Sequence, residues 1–174
     1  MNEAVLDALK ARRSIRSYKP DMVPAELIDR VVEAGTYAAS ARGLQSAIIV
    51  AITDKKTRDQ LARMNREIMG VTQDTFYGAP VVLVVLADKA NPNYIYDGSL
   101  VMGNLLNAAY AVGLGSCWIH RARQEFASEE GKALLKKWGI EGDYEGIGHV
   151  ILGYAAAPAP KAAPRKDNYV YHID

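Results

Sequence analysis

The apolar residues of this chain follow two different spacings, and each spacing predicts its own kind of element. Stripes at helical spacing predict helices over residues 2–11, 24–39 and 55–69. Continuous apolar runs of strand length predict β-strands over residues 47–52 and 81–86. The second run contains no polar residue, which indicates a strand that is buried on both faces.

The second half of the chain is dominated by a long stretch without charge, residues 98–119. Glycine and asparagine residues interrupt it, so a helix over residues 93–112, buried on all sides in a globular core, explains it better than a membrane span. A short strand over residues 116–119 follows. Further along, a capping pattern predicts a helix over residues 128–138, and an apolar run predicts a strand over residues 148–154.

Helices and strands therefore alternate along the chain, with more helical than strand residues. This order predicts an α+β or α/β layered fold in which helices flank a central sheet. A length of 174 residues suits one well-buried domain, residues 1–174. Its C-terminal tail, residues 155–174, is rich in proline and alanine and cannot build a core of its own.

The overall charge and cysteine content exclude several classes of partner. The formal net charge is +1, so the chain as a whole attracts neither nucleic acid nor an anionic membrane, and any anion site must be local. The single cysteine, Cys117, cannot form an intramolecular disulfide or a cysteine zinc cluster. The N-terminal segment lacks the apolar core of a signal peptide, which predicts a cytoplasmic protein.

Side chains that commonly bind metals or act in catalysis show no functional spacing. His120, His149 and His172 are far apart in the sequence, so no metal site is expected, and His149 is expected to be a core or sheet residue. Asp97 shows only the spacing of a surface residue. Cys117 has no neighbouring histidine that would activate its thiol.

The most distinctive segment is residues 12–18, Arg-Arg-Ser-Ile-Arg-Ser-Tyr, which follows the first predicted helix. Guanidinium groups bind phosphate oxygens in a bidentate manner, and a serine hydroxyl can complete such a shell. The alternative is a basic turn that is exposed to solvent. The segment therefore predicts either a phosphate site or a solvated turn.

A glycine-rich segment, Gly113-Leu114-Gly115-Ser116, separates the long predicted helix from the next strand. It follows a helix and precedes a strand, which is the reverse of a Rossmann turn, and it lacks the third glycine of that motif. The segment therefore predicts the C-terminal end of a helix rather than a dinucleotide site.

Together, residues 12–18, the helix around residues 97–109 and the glycine-rich segment resemble the FMN-dependent nitroreductase family. Chains of that family begin with an Arg-x-Ser-x-Arg/Lys run after the first helix. The resemblance implies a layered α+β fold with a central mixed sheet and a buried central helix, and a homodimer with two flavins at its interface. It also implies that NAD(P)H reduces the flavin, which then passes electrons to a nitroaromatic, a quinone or a similar small acceptor.

The resemblance implies a role for each matching residue of the opening segment. Arg12 and Ser14 would bind the FMN phosphate, and Arg13 would contribute partly through its backbone. Arg165 of the tail would close the phosphate shell, with the nearby lysines as weaker alternatives. Arg16 would lie near flavin N1, where a fixed cation favours reduction.

Two further segments would meet the flavin ring according to the same resemblance. The N5 edge of the ring, where hydride would be transferred, would be lined by Trp118, Ile119 and His120. A loop in the position of the family's Pro-Ser-x-x-Asn-x-Gln-Pro-Trp segment, which reaches the flavin bound mainly by the partner subunit, would contribute Ser40, Gly43 and Gln45. In this loop Gly43 replaces the asparagine, and Ser-Ala replaces Pro-Trp.

Two alternative functions remain open from the sequence. The incomplete match of the 40–47 loop also fits a flavin-binding carrier or sensor without significant turnover. A family member specialised for dehalogenation or ligand cleavage would need substrate-covering residues that the sequence does not identify. Neither the choice between NADH and NADPH nor the acceptor follows from the sequence.

Overall fold

A computed structural model describes residues 3–173 of the chain. Its helices and strands occur in the order α1 (Glu3–Ala11), α2 (Ala25–Thr36), β1 (Ala47–Ile52), α3 (Lys55–Met69), β2 (Val81–Asp88), α4 (Tyr94–Ala111), β3 (Gly115–Ile119), α5 (Ala122–Ala127), α6 (Glu129–Lys137) and β4 (Tyr144–Gly153). One turn of 3₁₀ helix, Ala41–Gly43, precedes β1. Residues 1, 2 and 174, which the predicted first helix and tail include, lie outside the described residues.

The four strands form one sheet in the order β1-β2-β4-β3, and the α+β class is confirmed. All three strand pairings are antiparallel, which corrects the expectation of a mixed sheet. The end of β1 pairs with the start of β2, since Ile52 lies opposite Val82. The chain after α3 therefore returns to the end of the sheet where β1 finished, and a parallel pairing is not formed.

Strand β2 is the centre of the protein, as its unbroken apolar run predicts. Every side chain from residue 81 to residue 87 is fully buried. Val82, Val84 and Leu86 face the layer that contains α3, α5 and α6. The alternate residues 81, 83 and 85 face the layer that contains α2 and α4. The sheet thus lies between two helical layers, which together bury both of its faces.

The long helix α4 is buried on one face only, so the expectation that it is enclosed on all sides is wrong for a single chain. Met102 and Leu105 are fully buried against the sheet. On the opposite face, the side chains of Tyr96 and Leu100 are 71% and 50% exposed. Within residues 3–173, no helix is long and apolar enough to cross a membrane.

The structure also corrects three details of the predicted elements. Helix α5 was not predicted, because six residues make less than two turns and show no apolar period. Strand β4 begins at Tyr144, four residues before the predicted start, because a glutamate and two glycines interrupt the strand pattern there. Helix α2 ends at Thr36, three residues earlier than predicted.

Candidate functional site

The opening segment, residues 12–18, lies against the free edge of β3. The Ile15 main-chain N–H donates to the Ser116 carbonyl oxygen at 2.9 Å, and Ser14 forms a parallel bridge with Ser116. The two chains are so close that a Cβ atom on Gly115 would lie 3.0 Å from Cγ1 of Ile15. Glycine at position 115 therefore allows the basic segment to approach β3 closely enough to pair with it at the edge of the sheet.

Tyr18 anchors this segment to the core. Its side chain is buried, and its hydroxyl donates to the Ile15 carbonyl oxygen at 2.8 Å. Burial raises the pKa of the Tyr18 hydroxyl, and the nearby Cys117 raises it further, so the group remains a donor. Since Ile15 and Tyr18 point into the core, Arg16 and Ser17 are exposed to solvent. The exposed Arg16 is available to a ligand.

Arg12 and Arg13 are half-buried and differ in how their guanidinium groups are used. Arg13 Nη1 donates to the carbonyl oxygens of Lys10 and Arg12, both at 2.7 Å, which closes the end of α1. Arg12 Nη1 is buried and has no hydrogen-bond partner within residues 3–173. A buried cationic donor without an acceptor is unfavourable, so the position of Arg12 fits an anion that is bound here.

Arg12 lines a cavity of about 180 Å³ beside the start of β3. Apart from the arginines and Tyr110, the residues around it are small or apolar, and they include Gly113, Gly115, Ser116 and Ala159. The glycine-rich segment is therefore the C-terminal end of α4, as predicted, and also a wall of the cavity that contains Arg12. The cavity fits the phosphate of FMN, because it is lined by the half-buried Arg12, whose Nη1 lacks a partner within residues 3–173.

The predicted ring-binding residues lie at the exit of β3, the opposite end of the strand from the cavity of Arg12. Ile119 points into the core, whereas Trp118 packs on the other face of the sheet, over Gly148. The Trp118 and His120 rings are 5.9 Å apart, and His120 is exposed. Successive residues of an antiparallel strand direct their main-chain groups to opposite edges, so Trp118 shares the free edge with Ser116.

Two residues at this exit were missed by the sequence reasoning, Arg121 and Asn65. Arg121 adopts a left-handed conformation with φ +82°, which a side chain other than glycine rarely adopts. Its Nε donates to Oδ1 of the fully buried Asn65, at 3.0 Å. Because these residues are 56 positions apart and belong to no motif, no pattern in the sequence indicates their contact.

His149 is a buried residue of β4, which confirms its expected place in the sheet. Its Nε2 lies 3.0 Å from both carboxylate oxygens of Glu125, which is also fully buried. Asn65 Nδ2 donates to the same carboxylate. Within the described residues, no group of three or more His, Cys, Asp or Glu side chains is arranged to hold a metal ion.

The loop at residues 40–45 is held by Asp97, a residue that was wrongly expected to be a surface residue. Asp97 is buried at the start of α4, and its carboxylate accepts from the Ala41 main-chain N–H at 2.9 Å and the Ser46 hydroxyl at 2.8 Å. A third bond comes from the Asn91 side chain, at 3.0 Å. Three donors compensate the buried carboxylate, which in turn fixes the loop to α4.

The loop itself has an unusual backbone. Arg42, Gly43 and Gln45 all have positive φ, at 56°, 66° and 50°. The Gln45 main-chain N–H donates to the Ser40 hydroxyl at 3.0 Å, which closes the loop. Glycine and asparagine are the residues that most readily adopt this conformation, so Gly43 can keep the backbone that an asparagine would have there.

Within one chain, the opening segment and the 40–45 loop lie at opposite edges of the sheet. The loop leads into β1, and the opening segment lies outside β3. Four strand spacings of about 4.8 Å separate them, or about 19 Å. The structure thus brings Arg12, Arg13 and Ser14 beside the start of β3 but places the loop apart from them.

The tail begins at the site and then leaves it. Its first residues pair with the opening segment, since the Ala156 N–H donates to the Ser17 carbonyl oxygen at 3.0 Å. Arg165 is exposed, and its Nη2 donates to the Ala163 carbonyl oxygen at 2.7 Å. Arg165 does not line the cavity of Arg12, so its role at the phosphate stays a prediction.

Comparison with known proteins identifies the family. The model described as "Nitroreductase family" matches residues 9–71 and 65–154, and the chain belongs to the nitroreductase family. A relative in Archaeoglobus fulgidus, with the provisional name NADH dehydrogenase/NAD(P)H nitroreductase, is 30% identical over 87% of this chain and 86% of its own length.

A second relative, in Methanothermobacter thermautotrophicus, has the same provisional name and is 32% identical over 66% of this chain. The match spans only 59% of that relative's length. Among solved structures, a nitroreductase from Bacteroides fragilis with bound FMN is 26% identical, covers both chains completely and superposes with a TM-score of 0.87. The similarity in fold therefore extends over the whole chain.

Proposed function

We propose that this protein is an FMN-dependent oxidoreductase that takes electrons from NAD(P)H and passes them to a nitroaromatic, a quinone or a similar small acceptor. The observation that carries the proposal is Arg12, which lines a cavity beside the start of β3 and whose buried Nη1 has no hydrogen-bond partner within residues 3–173. Family membership, the names of the relatives and the FMN in the Bacteroides fragilis structure support it.

In this proposal, Arg12 and Ser14 bind the phosphate, and Arg13 shapes the site by fixing the end of α1. When bound, FMN supplies the chemistry of accepting a hydride and releasing two electrons. The protein's part is to hold the ring beside the edge of β3, where Trp118, Ile119 and His120 line it. The free main-chain donors of this edge are the groups that would hydrogen-bond to the ring.

A second copy of the chain completes the proposed site. The 40–45 loop lies about 19 Å from the opening segment, at four strand spacings, so it meets the ring most readily from a partner subunit. The exposed apolar face of α4 and the exposed Val5, Leu6 and Leu9 of α1 offer a surface for such a partner. The tail that carries Arg165 could reach the phosphate in the same assembly.

The proposal is tested by the visible spectrum of the purified protein and by its response to NADH and NADPH. We expect a yellow protein, or one that takes up FMN far more tightly than riboflavin, whose bound flavin is rapidly bleached by one of the two donors. Reoxidation by added menadione or nitrofurazone would then show turnover. Flavin that stays oxidised with both donors would indicate a carrier or sensor instead.

The first prediction concerns assembly. We expect sedimentation to show a dimer at micromolar concentration, and we expect Leu100→Glu to shift it toward monomer and to weaken FMN binding. The reason is that a charge on the exposed face of α4 would be buried without a partner in the interface. Ile68→Glu is the matched control, because Ile68 is a similarly exposed residue on α3, in the opposite helical layer. A monomer that binds FMN tightly would contradict a shared site.

The second prediction separates binding from redox tuning, and it concerns Arg16. A cation beside the ring favours the form of FMN that carries more negative charge, so Arg16→Gln should lower the midpoint potential of bound FMN. A loss of about 1.4 kcal/mol corresponds to about 30 mV for two electrons. Potentiometric titration at constant ionic strength measures the shift, with Lys19→Gln as the control, because Lys19 is also exposed and directly follows the opening segment. Unchanged potential with lost FMN would make Arg16 a phosphate ligand.

A further inference from the structure

A buried polar cluster lies directly behind the exit of β3 and has no part in the phosphate site. It joins three elements through Asn65 of α3, Glu125 of α5 and His149 of β4, all fully buried. His149 Nε2 and Asn65 Nδ2 both contact the Glu125 carboxylate. A buried carboxylate is tolerated only when it is well hydrogen-bonded, so the cluster is a fixed assembly rather than a set of independent side chains.

Asn65 extends this cluster to one peptide bond at the strand exit. Its Nδ2 donates to the His120 carbonyl oxygen at 2.7 Å, and its Oδ1 accepts from Arg121 Nε at 3.0 Å. A trans peptide holds its C=O and N–H in opposite directions. Because the His120 carbonyl points toward Asn65, the Arg121 N–H points away from α3, and no acceptor for it is found in the part of the chain that the structure describes.

The backbone at Arg121 needs such support. Its φ of 82° and ψ of 0° are left-handed, and this conformation is unfavourable for arginine. Such strain persists only where the surroundings hold the backbone in place. Helix α5 starts at the next residue and packs closely against β4, since a Cβ atom on Gly146 would lie 2.3 Å from the Ala122 carbonyl oxygen.

We propose that Asn65 is a positioning residue of the ring site: it holds Arg121 in the left-handed conformation and so directs the Arg121 main-chain N–H away from α3, to the side where the ring would bind. Glu125 and His149 fix the orientation of the Asn65 amide and act through it. The inference rests on the proposed function for the identity of the ring, but the direction of the Arg121 N–H is a property of the protein alone.

A matched pair of variants at position 121 tests this inference. Arg121→Gly and Arg121→Ala both remove the guanidinium group, but only glycine adopts positive φ without strain. Two readouts apply: the ¹⁵N–¹H chemical shift of the residue-121 amide without and with FMN, and the rate of flavin bleaching by the donor that reduces the wild type. We expect the amide of the glycine variant to shift on FMN addition as in the wild type, and bleaching by the alanine variant to be slower than by the glycine variant.

The role of the Asn65 side chain is tested by Asn65→Ala and by the double variant Asn65→Ala/Arg121→Gly. We expect Asn65→Ala to slow bleaching by about tenfold or more, as a misdirected donor would. The double variant should recover most of the lost bleaching rate, because glycine adopts the left-handed backbone without support from Asn65. Asp74→Asn is the control: it breaks the ion pair with Arg58, which lies on α3 as Asn65 does, and should lower the melting temperature without slowing bleaching.

The outcomes separate the two proposals. If Arg121→Gly and Arg121→Ala bleach at the same rate, or if Asn65→Ala lowers only the melting temperature, Asn65 is a purely structural residue and the inference is wrong. A failure of the double variant to recover would likewise contradict it. If the wild type does not bind FMN, the proposed function fails, and the amide shifts of the FMN-free variants then still report whether Asn65 holds the peptide.

Discussion

FMN should bind to the Arg12→Ala variant about 2–4 kcal/mol more weakly than to the wild-type protein, as for the loss of one charge-assisted pair. The physical reason is the buried Nη1 of Arg12, whose desolvation is already complete before a ligand arrives. A phosphate bound beside Arg12 would give this guanidinium group the charged acceptor that its Nη1 lacks within residues 3–173. Fluorescence titration with FMN measures the change.

Two controls make this result specific to the phosphate. Riboflavin has the same ring without the phosphate, so its affinity should be nearly the same for the variant and the wild type. Arg30→Ala removes an exposed arginine from α2 and changes the net charge equally, and it should leave FMN affinity unchanged. An equal loss of affinity for FMN and riboflavin in Arg12→Ala would remove the phosphate role from Arg12.

The Asp97→Ala variant should lose about 3–5 kcal/mol of unfolding free energy, because it leaves three donors without their charged acceptor. Two of these donors, the Ala41 N–H and the Ser46 hydroxyl, connect the 40–45 loop to α4. The loop should therefore become accessible as well, and trypsin should cleave after Arg42 in the folded variant. Urea denaturation and limited proteolysis measure the two effects.

The control for Asp97 is Glu26→Ala. Glu26 is also an acidic residue in the first turn of a helix, but it is exposed. Its removal should cost less than about 1 kcal/mol, the usual contribution of a charge near a helix N-terminus. If Asp97→Ala proves as mild as Glu26→Ala and the loop stays resistant to trypsin, the carboxylate does not hold the loop.

The strands of the sheet could be predicted from the sequence because a buried strand requires a run of apolar residues, and such a run is visible in the sequence. The run at residues 81–86 contains no polar residue, and the structure buries every one of its side chains. The same argument went too far for α4, where the absence of charge suggested burial on all sides. A helix face without charge can be buried within its own chain or against a partner subunit, and the sequence pattern does not distinguish these two cases.

The residues of the candidate site also fall into two groups, those that the sequence indicated and those that only the structure showed. Arg12, Ser14 and Arg16 could be proposed because they occur within five residues and match a family motif. Asp97, Asn65 and Arg121 could not, because each acts through contacts with residues far away in the sequence. Asp97 even looked like a surface residue, since an isolated acidic residue is usually solvated and only its neighbours in space show otherwise.

The sequence by itself determined the two spacings, a layered fold of helices around a sheet, and a basic segment suited to phosphate, because these depend on residue type and near neighbours. Only the tertiary structure decided that the four strands pair antiparallel, that the basic segment lies along β3, and that Asn65 contacts Arg121, whose backbone is left-handed. Those features depend on contacts between segments that are far apart in the sequence. The local pattern of residue types does not specify such contacts.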